Sequence, residues 1–198
     1  EKEAVKLYER SLEKYAQSPL VVKVQSELAE LNLKSGAQDM VIERLTKALA
    51  GVTEHSLKAD LRYQLASAHY RKGEFETAAS QFEKLLAEYP KSRLRASMYF
   101  QAGESRLKRK ETVAARNHYA AGMKIGGLEN TLAESMMMRL AEMQSATADH
   151  KGARKTYLEF LGRFRESQWI RNAQFGLAWA MENSDDPKNA IREYSKLL

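Results

Sequence analysis

Turn signals fall along this sequence in two interleaved sets, and their common interval constrains the fold more than any single residue does. One set is Ser35-Gly36, Lys72-Gly73, Arg109-Lys110, Ala148-Asp149 and Ser184-Asp185-Asp186-Pro187. The other is Ser18-Pro19, Gly51, Tyr89-Pro90, Gly126-Gly127 and Glu166-Ser167. Between them apolar residues recur every three or four positions, as in Leu61, Leu65, Ala68 and then Phe75, Ala78, Phe82, Leu85, Leu86. That spacing gathers apolar side chains on one helix face, and strand-type alternation is almost absent. Short amphipathic helices broken at a fixed period bury their apolar faces by stacking, so an array of repeats is expected.

The clearest unit runs from Ala59 to Ser92, with Leu65-Ala66, His69-Tyr70, Gly73, Phe75, Ala78, Phe82, Leu85 and Pro90. Ala66 and Ala78 are small enough for two helices to approach closely, and Leu65, Phe82 and Leu85 fill the space between them. Gly73 permits a tight turn and Pro90 stops the second helix. The same offsets give Tyr99, Ala102-Gly103, Ala115 and Tyr119, then Met137, Leu140-Ala141, Ala153, Tyr157 and Phe160. They continue as Phe175-Gly176 and Trp179, and after a longer turn Ala190, Tyr194 and Leu197; there Asp186-Pro187 reads as a helix cap and first helical position. Toward the start they give Leu28-Ala29, Gly36, Val41, Leu45 and Ala48. Repeat starts at 22, 59, 96, 134 and 169 lie 37, 37, 38 and 35 residues apart.

This register resembles the tetratricopeptide (TPR) repeat family. The resemblance implies an all-α, right-handed superhelical α-solenoid of about eleven helices, a single domain over 1–198. An orphan second helix at 1–16 would precede repeats at about 22–55, 59–92, 96–127, 134–165 and 169–198. The Tyr89-Pro90-Lys91-Ser92 link, echoed by Phe164-Arg165-Glu166-Ser167, is similar to links in bacterial cell-envelope members. A periplasmic or envelope location rests on that loop likeness alone. The chain opens on Glu1 and on a second helix, so a longer parent chain is expected.

In this family the concave face is the usual ligand surface, lined by fixed first-helix offsets. Carried over, the fifth offset gives Ser26, Tyr63, Phe100, Met138 and Ala173, and the ninth gives Glu30, Ser67, Glu104, Glu142 and Leu177. The twelfth and thirteenth give Leu33-Lys34, Tyr70-Arg71, Leu107-Lys108, Ser145-Ala146 and Ala180-Met181. Hence Tyr63, Ser67, Tyr70, Arg71, Phe100, Glu104, Lys108, Met138 and Glu142 are the expected partner-binding residues. Rings supply buried area and flanking charges choose the partner; packing of the same rings against neighbouring helices is a reading of equal weight. Members that grip a C-terminal carboxylate use Asn at the ninth offset, which is absent here.

Composition removes other classes. With no Cys there is no disulfide scaffold, thiolate zinc site or cysteine nucleophile. His55, His69, His118 and His150 form no metal-ligand pair; His69 is expected to pack between helices, and the other three to face solvent. No phosphate loop or nucleophile elbow occurs, so no catalytic residue, metal or cofactor is expected. No apolar run reaches the ~20 residues of a membrane helix. The net charge of +6 is concentrated in the middle repeats, where Arg71-Lys72 and Lys108-Arg109-Lys110 form a basic edge. That edge is favoured as a solvated rim over a contact with nucleic acid or anionic surfaces. Of the Met136-Met137-Met138 run, Met137 is expected in the core, Met138 on the groove and Met136 on a third side. The expected function is a non-enzymatic scaffold binding a peptide or protein on its concave face. Self-assembly into homo-oligomers through the solenoid ends is the alternative.

Overall fold

The computed structural model describes residues 38–198 apart from Thr53, Asp185 and Leu198, and before them Glu3, Lys6, Leu7, Arg10, Val24, Glu27 and Leu28. The expected first-repeat site positions Ser26, Glu30, Leu33 and Lys34 lie outside the described residues. So does nearly all of the sequence assigned to the first two helices. From residue 38 onward the chain forms nine helices: α1 (Gln38–Gly51), α2 (His55–Lys72), α3 (Phe75–Glu88), α4 (Arg95–Lys108), α5 (Thr112–Met123), α6 (Asn130–Ala146), α7 (His150–Arg163), α8 (Ile170–Glu182) and α9 (Pro187–Ser195). No strand occurs among the described residues. The class is the all-α TPR-type solenoid that the repeat register implies.

The contacts divide the chain into two compact units, Glu1–Ser105 and Arg106–Leu198. In the first, α1 packs on α2 and α2 on α3. Val41, Leu45 and Ala48 of α1 meet Leu61 and Ala68 of α2; Ala78, Phe82 and Leu85 of α3 meet Ala66 of α2 and Met98 and Ala102 of α4. Each set recurs at three- and four-residue spacing, and the Ala positions let the backbones close on the large rings. In the second unit each of α5 to α8 packs on the next helix, and α6 also touches α8. Its core joins Met137, Met138 and Ala141 to Ala153, Tyr157 and Phe160, and these to Ala173, Leu177, Ala180 and Met181.

Helix α6 buries Met137 as expected and corrects the placement of Met136, which was expected on a third side. Met136, Met137 and Met138 are 0%, 2% and 6% exposed, so the whole run is buried. The physical reason is that α5, α7 and α8 all pack on α6, covering more than one of its sides.

Three turns within helix pairs share one geometry. Gly73, Lys110 and Ala148 have φ of 89°, 63° and 58°, the left-handed region. In each, the next residue's N–H returns to the helix end: Glu74 to the His69 carbonyl (3.0 Å), Glu111 to Arg106 (3.0 Å) and Asp149 to Gln144 (2.9 Å). The left-handed residue itself donates to Tyr70, Leu107 or Ser145 respectively, at 3.0, 2.8 and 3.1 Å. These paired bonds satisfy carbonyls that the helix end leaves open. An acidic residue follows every such turn at the N-cap position of the next helix, Glu74, Glu111 and Asp149, and of these the Asp149 side chain bonds a backbone N–H. Asp149 accepts from Gly152 N–H at 3.0 Å, and a Cβ on Gly152 would stand 2.3 Å from the Asp149 carboxylate. Asp186 caps α9 ahead of Pro187 as expected, but its carboxylate takes Asn189 Nδ2 (2.9 Å) and Arg154 (3.0 Å) rather than a backbone N–H.

Candidate functional site

Helices α6 and α8 each turn one stripe toward a shared cavity of about 640 Å³ inside the second unit. On α6 the stripe is Met138, Glu142 and Ser145-Ala146; on α8 it is Arg171-Asn172, Phe175-Gly176 and Trp179. Both advance by one helical turn per step, so each set lies on one face. Tyr157 of α7 and Leu197 complete the lining. A cavity of this volume falls in the range of ligand-binding clefts.

The floor depends on one glycine. A Cβ on Gly176 would stand 2.3 Å from Tyr157 Cζ and 2.6 Å from its hydroxyl oxygen, so only glycine lets α8 close over that ring. Burial raises the Tyr157 pKa, the Ser145 hydroxyl beside it works against that, and the Glu142 carboxylate reinforces it. The phenol therefore stays protonated at neutral pH. Above the floor, Phe175 is 54% exposed, its ring 5.7 Å from that of Tyr194. Trp179 meets the His150 ring edge-on at 5.2 Å. Two charges reach the cavity. Glu142 accepts from Arg139 Nη1 at 3.0 Å, and Arg171 Nη2 donates to the Leu197 carbonyl at 2.8 Å.

The nine partner-binding residues expected from the sequence are divided between the units. Met138 and Glu142 lie together on the cavity; Lys108 is exposed at the end of α4. Tyr63, Ser67, Tyr70, Arg71, Phe100 and Glu104 belong to the first unit. Tyr63 sets its edge on the Phe82 ring at 5.5 Å and Tyr70 on Phe75 at 5.3 Å, so both are engaged in helix packing. Burial raises the Tyr63 pKa against opposing hydrogen bonds from Ser97, Ser67 and Gln101. Ser67 Oγ donates to the Tyr63 carbonyl at 2.9 Å.

In the fifth repeat the offsets mislead. Ala173, Leu177, Ala180 and Met181 were expected on the concave face, yet they are 0%, 1%, 0% and 5% exposed in the core. Phe175 and Trp179, expected as packing positions, line the cavity instead, with Arg171 and Asn172. The signal available in the sequence was the i, i+4, i+8 stripe Arg171-Phe175-Trp179.

Two of the five residues of the expected basic edge are neutralised. Lys72 Nζ lies 2.9 Å from Asp39 and 2.6 Å from Glu74, and hydrogen bonding to Glu74 and then Asp39 lifts its pKa above the lysine range. Arg109 Nε is 2.8 Å from Glu111, whose carboxyl it holds below its ordinary value, with Arg106 assisting. Arg71, Lys108 and Lys110 remain exposed.

One of the histidines expected in solvent departs from that reading. His150 opens α7 half-buried against Trp179 rather than in solvent, while His55, at the start of α2, stays exposed as expected with its ring 4.4 Å from Tyr89. His69 Nδ1 contacts Glu74 Oε2 at 2.5 Å. No group of three His, Asp or Glu among the described residues could hold a metal ion, and no described helix is long and apolar enough to cross a membrane.

A second cavity, about 610 Å³, lies in the first unit between the start of α2 and the Tyr89-Pro90-Lys91-Ser92 link. Three of its four Lys, Arg, Asp and Glu residues pair within the unit: Arg93 Nη2 reaches Asp60 at 2.7 Å, and Glu88 pairs with Arg62, while the fourth, Lys91, is exposed.

A family model for the tetratricopeptide repeat matches residues 60–92. No curated protein sequence matches the chain. Among solved structures, MamA superposes with a TM-score of 0.74 at 15% identity, covering 91% of this chain and 92% of that one. BtubC (BKLC) from P. vanneervenii gives 0.73 at 16% identity, covering 99% and 91%. A Podosopora anserina putative kinesin light chain with nearly identical TPR-like repeats gives 0.72 at 16%, covering 91% and 95%. The likeness to these structures is one of fold.

Proposed function

We propose that this chain is a non-enzymatic protein-interaction scaffold whose second unit docks a peptide segment of a partner in the cavity between α6 and α8. The observation that carries this is the cavity itself: a large, mostly apolar cleft with Phe175 more than half exposed on its wall. An aromatic ring left at the surface among apolar neighbours is the kind of anchor that dominates protein–peptide affinity. The tight floor set by Tyr157 and Gly176 supports a preformed site, which loses little free energy to reorganisation on binding.

The test uses random 16-residue peptides displayed on phage and selected on the immobilised chain. Peptides so obtained should bind Phe175→Ala about tenfold more weakly, in line with the loss of one anchor residue. Undiminished binding to Phe175→Ala would place docking elsewhere and overturn this assignment.

A further inference from the structure

Two charges line the cavity of the second unit, beside the polar Ser145 and Asn172, and they differ in what already meets them. Glu142 carries the Arg139 guanidinium at 3.0 Å, so its charge is matched on its own helix. Arg171 carries only a neutral acceptor, the Leu197 carbonyl at 2.8 Å, and has no carboxylate partner among the described residues. A guanidinium has five N–H donors in a planar fork suited to a carboxylate, and one of them is used here. Among the described residues the cavity thus holds one positive charge that no carboxylate meets, on the rim of a mostly apolar cleft where water screens it only in part.

Position sharpens the consequence. Arg171 and Phe175 are one helical turn apart on the same stripe of α8. Side chains so spaced lie about 5–6 Å apart at Cβ, so a ligand group meeting Arg171 lies beside the one covering Phe175. The field of the unit acts in the same sense: residues 106–198 hold 16 Lys and Arg against 11 Asp and Glu, which leaves the first 105 with 16 against 15. A positive unit attracts acidic segments before contact and repels basic ones.

We propose that the segment docked here is acidic: a large apolar side chain enters the cavity against Phe175 and Trp179, and an Asp or Glu adjacent to it in the ligand pairs with Arg171. This rests on the docking function proposed above, and names the partner chemistry at that site. The carboxylate is a side-chain group within the segment; a terminal carboxylate is an outcome that the test separates.

Two synthetic peptides, made from a sequence selected on the full chain and differing only in Glu or Lys beside the apolar anchor, are titrated by fluorescence anisotropy at about 0.15 M salt. Each is amidated at its C-terminus, so that no terminal carboxylate contributes. The Glu peptide should bind about tenfold tighter, the scale of one well-formed partly desolvated ion pair. That preference should vanish on Arg171→Gln and reverse on Arg171→Glu. Arg171 is exposed in the first turn of α8, where an acidic side chain suits the helix dipole, so both variants should fold; helicity by circular dichroism checks this. If the two peptides bind the unaltered chain within about twofold, or Arg171→Glu leaves their ratio unchanged, the acidic reading is overturned while docking at Phe175 stands. A preference that appears only with free C-termini overturns it in favour of a terminal carboxylate. If selection yields no peptide sensitive to Phe175→Ala, the docking assignment falls and this proposal falls with it.

Discussion

The two units repeat the same helix pairing, yet the rings on α2 and α8 are used in opposite ways. In the first, Tyr63 lies edge-on to Phe82 and Tyr70 to Phe75, with the Tyr63 hydroxyl held by Ser97, Ser67 and Gln101. These rings hold helices together. In the second, Tyr157 forms the floor of a cavity while Phe175 stands half out of it, 54% exposed. The cavities follow the same division. The cavity beside the Tyr89-Pro90 link in the first unit carries Asp60, Glu88 and Arg93, each paired within that unit, whereas that of the second is mostly apolar with one guanidinium unmatched by a carboxylate among the described residues. A ring at a given repeat offset is therefore not a binding residue or a core residue by position. What neighbouring helices cover decides which it becomes.

The sharpest break of this comparison is a pair of truncations. Tyr63→Ala should destabilise the first unit by about 2–4 kcal/mol, because it removes buried ring area and orphans hydrogen-bond partners. Phe175→Ala should change stability by less than about 1 kcal/mol, since more than half of its ring is already in water. Chemical denaturation of the full chain, with amide exchange in α2 and α8 to localise each loss, measures both. Equal losses would show that Phe175 is structural and erase the contrast.

This also marks what was legible in the sequence. The spacing of Val41, Leu45 and Ala48, or of Ala78, Phe82 and Leu85, fixes a helix face without reference to anything else, and all six are buried. The alternation of turns is equally local, because Gly73, Asp149 and Pro187 act within a few residues of themselves. The site is not local. The same kind of offset that places Met138 on the cavity places Ala173 in the core, because α7 closes against α8 through Tyr157 and Gly176 and rolls a different stripe outward. Offsets carried from a repeat family encode an average helix contact, and a single glycine–tyrosine contact is enough to change which stripe is left open.

That contact supplies the second prediction. Gly176→Ala would place a methyl 2.3 Å from Tyr157 Cζ and should destabilise the second unit by about 1–3 kcal/mol as the ring is displaced. Gly162→Ala, in the last turn of α7 with nothing within 4 Å of its Cβ, should stabilise the same unit by up to about 1 kcal/mol through helix propensity. Opposite signs from two glycines in neighbouring helices would confirm that Gly176 is set by packing. If Gly176→Ala is neutral, α8 is not held by that contact, and the account of the exposed stripe fails.

The smallest effect concerns the turns, where the units agree in geometry but not in residue. The first unit places Gly73 in the left-handed position at φ 89°; the second places Lys110 and Ala148 there, at 63° and 58°. The backbone bonds around all three are alike, so the cost of the conformation falls on the side chain alone. A Cβ in this region costs about 1–2 kcal/mol, partly offset because glycine loses more freedom on folding. Ala148→Gly and Lys110→Gly should therefore each stabilise the second unit by about 0.5 kcal/mol, and Gly73→Ala should destabilise the first by about 1 kcal/mol. Lys110 and Ala148 thus keep a small strain that Gly73, and Gly127 at φ 71° in the second unit, avoid. Thermal unfolding of the three variants side by side measures this, and a loss of stability on Ala148→Gly would mean that its methyl makes contacts outweighing the strain.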